Sequence, residues 1–278
     1  MTTSGGVRRP FAQVDVFGAD PCTGNALAVV LDADGLSDQE MQRFARWTNL
    51  SETTFLLPPT TSEADYRVRI FTPAGELPFA GHPTLGSCHA WLSRRPDAVG
   101  ERIVQECAAG LIELRADSGR YAFVAPPLIR EGPVDDQLRD ELASWLGRLR
   151  DAQWVDNGPG WVGVLLDSAD EVLNVSAPPA TLPPLGVVGP HPPGGEYQFE
   201  VRAFFPEGGQ VLEDPVTGSL NAGIAQWLIG TGRAPEHYTA HQGTAVGADG
   251  RISIDRDEHG AIWVAGTAIT CIQGEVQL

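Results

Sequence analysis

The chain has 278 residues, of which 42% are hydrophobic, and its formal net charge at pH 7 is −17. This composition predicts a folded protein with room for two modest domains and argues against a disordered chain. The acidic excess argues against nucleic acid or an anionic membrane as the main partner, because both require a basic surface.

All 19 basic residues are arginine, so the sequence contains no lysine. This excludes Schiff-base catalysis by lysine, a pyridoxal-phosphate lysine and a Walker-type phosphate loop, because each needs the amine. Apolar runs stay well below the roughly 20 residues that span a bilayer. The first ten residues lack the apolar core of a signal peptide, and we therefore expect a cytoplasmic protein.

Hydrophobic periodicity and turn residues predict a strand-rich first half with two helices. The predicted elements are strands at 12–17 and 27–31, a helix that begins after Ser37, strands at 49–57 and 66–71, and a helix at 84–92 that follows Pro83. Ser37 and Glu40 form a capping box, in which each side chain can accept a hydrogen bond from an otherwise unpaired amide.

The second half repeats this mixture of strands and helices. Its predicted elements are a helix at 135–149, a strand at 161–166, a helix that begins after Ser168, a strand at 199–204, a helix at 216–229, and a hairpin formed by 252–254 and 262–272. The segment 178–195 is rich in proline and glycine and is predicted to be a loop. Together the two halves predict an α+β fold.

Two distant segments of the chain are versions of one another. Both contain an Arg-x-Phe-x-Pro sequence, at Arg69 and at Arg202, followed by a Gly-Ser pair, at Gly86-Ser87 and at Gly218-Ser219. The offset is 202 − 69 = 133 at the arginines and 214 − 82 = 132 between His82 and Asp214. An internal duplication predicts two similar halves with a ligand cleft between them, where His82 and Asp214 would meet.

Glu52 is the first candidate for proton transfer. In its predicted strand it shares a face with Thr54 and Leu56. Loss of solvent on an apolar face raises the pKa of a carboxyl group toward the range useful for acid/base catalysis. The alternative is a charge on an edge strand that points into water.

His82 and Asp214 each precede a predicted helix, where free amides attract an anion. As alternatives, His82 can be a capping or packing residue and Asp214 an N-cap. Ser219 invites a serine hydrolase reading, but Gly-x-Ser-x-Gly is absent. A serine at a helix start is more often a hydrogen-bond donor to an anion. Asn25 is either a turn residue or a residue that faces the cleft.

Metal binding is not predicted. His237 and His241 form the one His-x-x-x-His pair, and they lie in loop-like sequence. The four cysteines have no metal-ligand spacing, and we expect them to be reduced and buried. They are Cys22, Cys88, Cys107 and Cys271.

Four motifs together resemble the PhzF family of phenazine-biosynthesis isomerases, over about residues 11–272. They are Gly24-Asn25-Ala26-Leu27-Ala28-Val29, Asn49-Leu50-Ser51-Glu52-Thr53-Thr54-Phe55, the segment from Arg69 to Thr84 with Gly81-His82-Pro83, and Glu213-Asp214-Pro215-Val216-Thr217-Gly218-Ser219. The resemblance implies two diaminopimelate epimerase-like domains, each a mixed sheet wrapped around a central helix. We expect their bounds at 1–126 and 127–263, with the C-terminal strand at about 264–278 returning to the first domain.

The resemblance also implies site residues and partners. Glu52 would be the proton-shuttling acid/base, with His82 and Asp214 as further catalytic residues. The anion-binding groups would be Ser51, Gly81, Gly218 and Ser219. The implied substrate is a small carboxylate, no cofactor is required, and homodimers are common in the family.

A late departure from the family pattern lies after Gln242-Gly243, where Gly247 and the segment 248–251 lengthen a turn. Related epimerases of this fold use two cysteines, but Ala80 occupies the first such position here. A two-cysteine racemase is therefore not predicted. Our leading hypothesis is an isomerase that moves a double bond through Glu52, and it leaves two alternatives open. One is an epimerase at a carbon next to a carboxylate, and the other is a ligand-binding homologue without turnover.

Overall fold

The computed structural model describes residues 6–95 and 102–278, which form two compact units. Unit 1 contains residues 6–22, 26–95, 102–123 and 267–278, and unit 2 contains residues 23–25 and 124–266. Residues 1–5, which belong to the N-terminal segment without an apolar core, lie outside the described residues. Within the described ranges, no helix has the length and apolar character needed to cross a bilayer.

Unit 1 is a mixed sheet that packs against two helices. Its strands are β1 (Arg8–Val16), β2 (Asn25–Val30), β3 (Glu52–Leu57), β4 (Tyr66–Phe71), β5 (Glu76–Leu77), β6 (Ile103–Cys107), β7 (Gly110–Asp117) and β8 (Arg120–Val124). Strand β3 pairs in parallel with β2 on one side and antiparallel with β4 on the other. Because β3 has a neighbour on each side, Glu52 is not on an edge strand.

The helices of unit 1 are α1 (Asp38–Thr48) and α2 (Gly81–Ser93). The predicted capping box is confirmed at the start of α1, where the side chains of Ser37 and Glu40 each accept from the other's backbone amide. Helix α2 is the central helix, since ten of its thirteen residues are buried. It begins three residues before the predicted start, so Pro83 lies within its first turn, where a missing N–H costs nothing.

Unit 2 repeats the arrangement of a mixed sheet around a buried helix. Its strands are β9 (Arg130–Pro133), β10 (Asp151–Asp156), β11 (Val162–Leu165), β12 (Leu185–Pro190), β13 (Phe199–Glu207), β14 (Gln210–Asp214), β15 (His237–Gln242), β16 (Gly250–Arg256) and β17 (Ile262–Gln277). Its helices are α3 (Asp136–Leu146), α4 (Ala169–Leu173) and the central helix α5 (Gly218–Gly230), with a 3₁₀ turn at Thr244–Val246. The α+β expectation is confirmed.

The last strand, β17, contributes residues to both units. Its first part pairs antiparallel with β16 in unit 2, from Ile262 to Ala265. Its second part pairs antiparallel with β1 in unit 1, where Ala268 lies opposite Val16 and Gln277 lies opposite Arg8.

The prediction of a loop over 178–195 was wrong, because this segment contains strand β12. The strand lies between parallel β11 and antiparallel β13, and Leu185 is fully buried. Two of the glycines that predicted a loop instead allow β12 to pack closely against its neighbours. A Cβ on Gly186 would lie 2.3 Å from the Leu220 side chain of α5, and one on Gly189 would lie 2.3 Å from the Ser168 carbonyl oxygen.

The duplicated segments contain the same ion pair. In unit 1, Arg69 donates from Nε and Nη2 to the two carboxylate oxygens of Glu76, at 2.7 and 2.6 Å. In unit 2, Arg202 makes the same two bonds to Glu213, at 2.9 and 2.7 Å. Each guanidinium also lies over the phenylalanine two residues later. The two arginines occupy matching positions of the duplicated pattern, and each glutamate lies opposite the phenylalanine of that pattern in the strand register, Glu76 opposite Phe71 and Glu213 opposite Phe204.

Candidate functional site

Glu52 and His82 lie together in unit 1. The Nε2 atom of His82 is 3.3 Å from Oε2 of Glu52, and their side chains are 4% and 15% exposed. Burial lowers the pKa of His82 to about 3, so the imidazole is neutral at neutral pH. A neutral imidazole has one donor and one acceptor nitrogen. It can therefore donate to Glu52 as a carboxylate or, in its other tautomer, accept from the protonated carboxyl.

The close packing of α2 on the sheet fixes this pair. A Cβ on Gly86 would lie 2.7 Å from the Leu27 side chain of β2, so glycine allows the helix to approach. One residue later, Ser87 donates a 2.9 Å hydrogen bond from Oγ to Thr54 Oγ1 on β3. Thr54 lies two residues after Glu52 on the same face of β3. The start of α2, with His82, is consequently held beside Glu52.

Asp214 lies in unit 2 at the end of β14, and its side chain is held by two donors. Asn25 Nδ2 donates to Asp214 Oδ1 at 2.9 Å, and Thr217 Oγ1 donates to Oδ2 at 2.5 Å. Burial raises the pKa of Asp214 to about 6, although both hydrogen bonds oppose the shift. Asn25 is only 2% exposed and also donates to the carbonyl oxygen of Val216 at 3.0 Å.

Gln242 also belongs to this cluster. From the sequence it could be identified only as part of the Gln242-Gly243 family pattern, without a role at the site. Its side chain is fully buried. Its Nε2 donates to the Asp214 carbonyl oxygen and to Thr217 Oγ1, both at 3.0 Å. Its Oε1 accepts from the Thr217 amide at 3.1 Å and from Asn221 Nδ2 at 2.9 Å. One side chain therefore ties the end of β14 to the start of α5.

Three of the four predicted anion-binding residues lie at the starts of the two central helices. Gly81 is the first residue of α2, and Gly218 and Ser219 are the first two of α5. Neither helix has a side-chain N-cap hydrogen bond. Free amides at such ends are suited to a carboxylate. Ser51 is exposed and directly precedes β3.

The structure groups these candidates within their own units. Glu52 and His82 are neighbours in unit 1, and Asn25 and Asp214 are bonded in unit 2. That the two groups act on one substrate stays a prediction of the sequence.

The histidine pair and two of the cysteines differ from expectation. His237 and His241 lie on β15 and not in a loop, so four residues of extended chain separate their Cα atoms by about 13 Å. His237 pairs with Asp255, and His241 pairs with Glu200 and Asp249. Cys88 and Cys107 are buried as expected, but Cys22 and Cys271 are exposed.

The raised pKa of Asp214 predicts a pH-dependent stability. The unfolded chain releases this proton near 3.8, whereas the folded chain retains it to about 6. The folded state therefore binds more protons in this window, and the free energy of unfolding falls as pH rises from about 4 to about 6. Asp214→Asn lacks this titration. We expect its Tm relative to the wild type to increase across the window and to level off above it, as measured by thermal unfolding between pH 4 and 7. A constant difference in Tm would contradict the assignment.

A model of one protein family, described as phenazine biosynthesis-like protein (PhzC-PhzF), matches residues 14–274. Two curated relatives match nearly the whole chain. Antisense-enhancing sequence 1 of Schizosaccharomyces pombe is 36% identical, over 95% of this chain and 97% of its own. Trans-2,3-dihydro-3-hydroxyanthranilate isomerase of Pseudomonas aeruginosa is 32% identical, over 96% of this chain and 99% of its own.

Solved structures share the fold. A PhzF-family phenazine biosynthesis protein from Enterococcus faecalis superposes with a TM-score of 0.78 at 24% identity, covering 98% of this chain and 100% of its own. A hydroxyproline epimerase from Agrobacterium vitis superposes with a TM-score of 0.61 at 14% identity, covering 100% and 94%. At these identities the structures support the epimerase-like fold and no more.

Proposed function

From the premise that the chain belongs to the PhzC-PhzF family and is an isomerase, we propose that it moves a carbon–carbon double bond by proton transfer through Glu52. The substrate of this reaction is a small carboxylate from a specialised-metabolite pathway, such as those for phenazines or antibiotics. The reaction moves one proton and has no redox step, so the proposal requires no cofactor.

The observation that carries this proposal is the Glu52–His82 pair. The carboxyl lies on a central strand, largely shielded from water, and 3.3 Å from a neutral imidazole. Such a group can hold a proton between two transfers, because few water molecules can exchange with it. By changing tautomer, the imidazole of His82 can donate a hydrogen bond to the carboxylate form of Glu52 or accept one from its protonated form.

In the proposed reaction, the Glu52 carboxylate removes a proton from an activated carbon of a conjugated acid. The electron pair of the broken C–H bond shifts the double bond along the conjugated system. The protonated Glu52 then returns the same proton to another carbon, which restores the carboxylate. Substrate and product are isomers, and the enzyme ends in its starting state.

Asp214 would hold the amino, imino or hydroxyl group of the substrate. We further propose that Asn25 acts through Asp214, since both hydrogens of its amide group are used within the protein. The uncapped helix starts at Gly81 and Gly218 would bind the substrate carboxylate, together with Ser51 and Ser219.

The test uses the compound named for the Pseudomonas aeruginosa relative, trans-2,3-dihydro-3-hydroxyanthranilate. We expect the purified full chain to convert it to a double-bond isomer, followed by NMR in D₂O. A shielded shuttle should return part of the original hydrogen, so product deuteration is expected to be incomplete.

The same experiment separates the alternatives. An epimerase would leave the double bonds in place and exchange deuterium at a single carbon. A ligand-binding protein without turnover would leave the NMR spectrum of the compound unchanged. Either of these results would overturn the proposed isomerisation of this compound.

A further inference from the structure

The loop between β10 and β11 presents a tryptophan to Ser219 at the start of α5. Asp156 accepts two hydrogen bonds at its Oδ1 atom, from the amides of Gly158 and Gly160, both at 2.7 Å. The Trp161 carbonyl oxygen accepts from the Val155 amide at 3.0 Å. The loop is thereby fixed at both ends. Trp161 is the last residue of this loop, and only 4% of its surface is exposed.

The contact between Trp161 and Ser219 has a fixed polarity. Trp161 Nε1 and Ser219 Oγ lie 3.1 Å apart. An indole N–H is a donor only, so the serine oxygen must be the acceptor. The hydroxyl proton of Ser219 is then directed away from Trp161 and is left to donate elsewhere.

The matching serine in unit 1 has the opposite polarity. Ser87 occupies the position of Ser219 in the duplicated motif, with an offset of 219 − 87 = 132. It donates its proton to Thr54 Oγ1 at 2.9 Å, while Thr54 donates onward to the Ala28 carbonyl oxygen at 3.4 Å. The proton of Ser87 is therefore used inside unit 1, whereas Trp161 leaves that of Ser219 free.

A second observation at the same place indicates a ligand. Asn157 is 9% exposed and donates from Nδ2 to the Ser219 carbonyl oxygen at 2.8 Å. Its Oδ1 atom is buried and accepts no hydrogen bond in the described structure. An unsatisfied buried acceptor is costly, and a ligand that carries an N–H or O–H group can remove the cost.

We infer that Trp161 is a positioning residue that orients the Ser219 hydroxyl to donate a hydrogen bond to the carboxylate of an amino or hydroxy acid. The inference deepens the proposed function and rests on its assignment of the substrate carboxylate to the start of α5. Trp161 acts only through Ser219 and touches no reacting atom. Asn157 Oδ1 would accept from the amino or hydroxyl group of the same ligand.

The test is a double-mutant cycle on ligand binding that needs no turnover. The probe is 3-hydroxyanthranilate, the aromatic form of the relative's substrate, and 2-aminophenol is the matched compound without the carboxylate. Dissociation constants are measured by calorimetry for the wild type, Trp161→Phe, Ser219→Ala and the double variant. Phenylalanine keeps an apolar ring and removes the N–H.

We expect Trp161→Phe to weaken binding of the acid by about fivefold and Ser219→Ala by about tenfold or more, as for loss of one hydrogen bond to a charged group. In the Ser219→Ala background, Trp161→Phe should change binding by less than about twofold. The affinity for 2-aminophenol should be the same in all four proteins. Trp145→Phe is the control, because it removes an indole N–H that donates to the Ser176 carbonyl oxygen at 3.2 Å, away from the start of α5; it should leave the affinity for the acid unchanged.

Three results would overturn the inference. The first is a loss of affinity for the acid on Trp161→Phe that persists in the Ser219→Ala background. The second is an equal loss of affinity for 2-aminophenol in the Trp161→Phe or Ser219→Ala variant. The third is a wild type that binds the acid no more tightly than 2-aminophenol. Failure of the proposed function is separate from these results. A chain that binds the acid with the expected cycle but does not isomerise the dihydro compound refutes the reaction and retains the role of Trp161.

Discussion

Replacement of Glu52 with glutamine is expected to lower kcat by at least about 100-fold, the usual contribution of a positioned acid/base. Glutamine is nearly isosteric and can remain beside His82, but it cannot take up and return a proton. The dissociation constant for 3-hydroxyanthranilate should therefore change little. Steady-state kinetics with the dihydro compound and calorimetry with the aromatic acid measure the two effects.

The matched control for this change is Glu63→Gln, which alters an exposed glutamate of the same unit. It should retain the kcat and Tm of the wild type. Glu52→Gln should also retain its Tm to within a few degrees, which separates lost chemistry from lost folding. A Glu52→Gln variant with kcat within about tenfold of the wild type would remove Glu52 from the mechanism.

Arg202→Met is expected to destabilise the protein by about 3–5 kcal/mol, because it leaves the Glu213 carboxylate without its partner in a largely buried site. The side chains of this pair are 8% and 13% exposed. Arg202 also donates from Nη1 to the Val175 carbonyl oxygen at 2.6 Å, beyond the end of α4, and this bond is lost too. The free energy of unfolding is measured by urea denaturation.

The duplication supplies the control for this experiment. Arg69→Met breaks the equivalent pair in unit 1, whose side chains are 17% and 35% exposed. Because solvent screens this pair more strongly, we expect a loss of about 1 kcal/mol. The double variant Arg202→Met with Glu213→Leu should recover much of the stability lost in Arg202→Met, since it removes the unpaired charge. Equal losses at Arg69 and Arg202 would contradict the burial argument.

Local sequence signals predicted much of the fold where local interactions decide the structure. Strand β4 has the predicted bounds, Tyr66–Phe71, and α1 begins at its predicted capping box. Strand β12 was missed because its glycines are set by tertiary packing. Gly186 packs closely against α5, and Gly189 packs closely against the residue that precedes α4. Both contacts join positions that are distant in sequence, so the residues next to each glycine do not predict them.

The same distinction applies to the candidate site. The motifs identified Glu52 and His82, and the alternation of β3 correctly placed Glu52 with Thr54. The contacts of Gln242 and Trp161 with the start of α5 could not be predicted, since the partners lie 21 to 58 positions apart in sequence. For Trp161 itself, the sequence pattern predicts only the first residue of a strand.

Strand β17 pairs with strands of both units. This pairing determines which unit can be completed first while the chain is being synthesised. Unit 2 is almost continuous in sequence and can close once residue 266 has left the ribosome. Unit 1 needs residues 267–278 to pair with β1, so its first strand waits for nearly the whole chain. Contacts of such long sequence separation form slowly. The half that contains Glu52 is therefore the last to be completed, and the exposed edge of β1 is the place where a nascent chain is open to mispairing or to a chaperone.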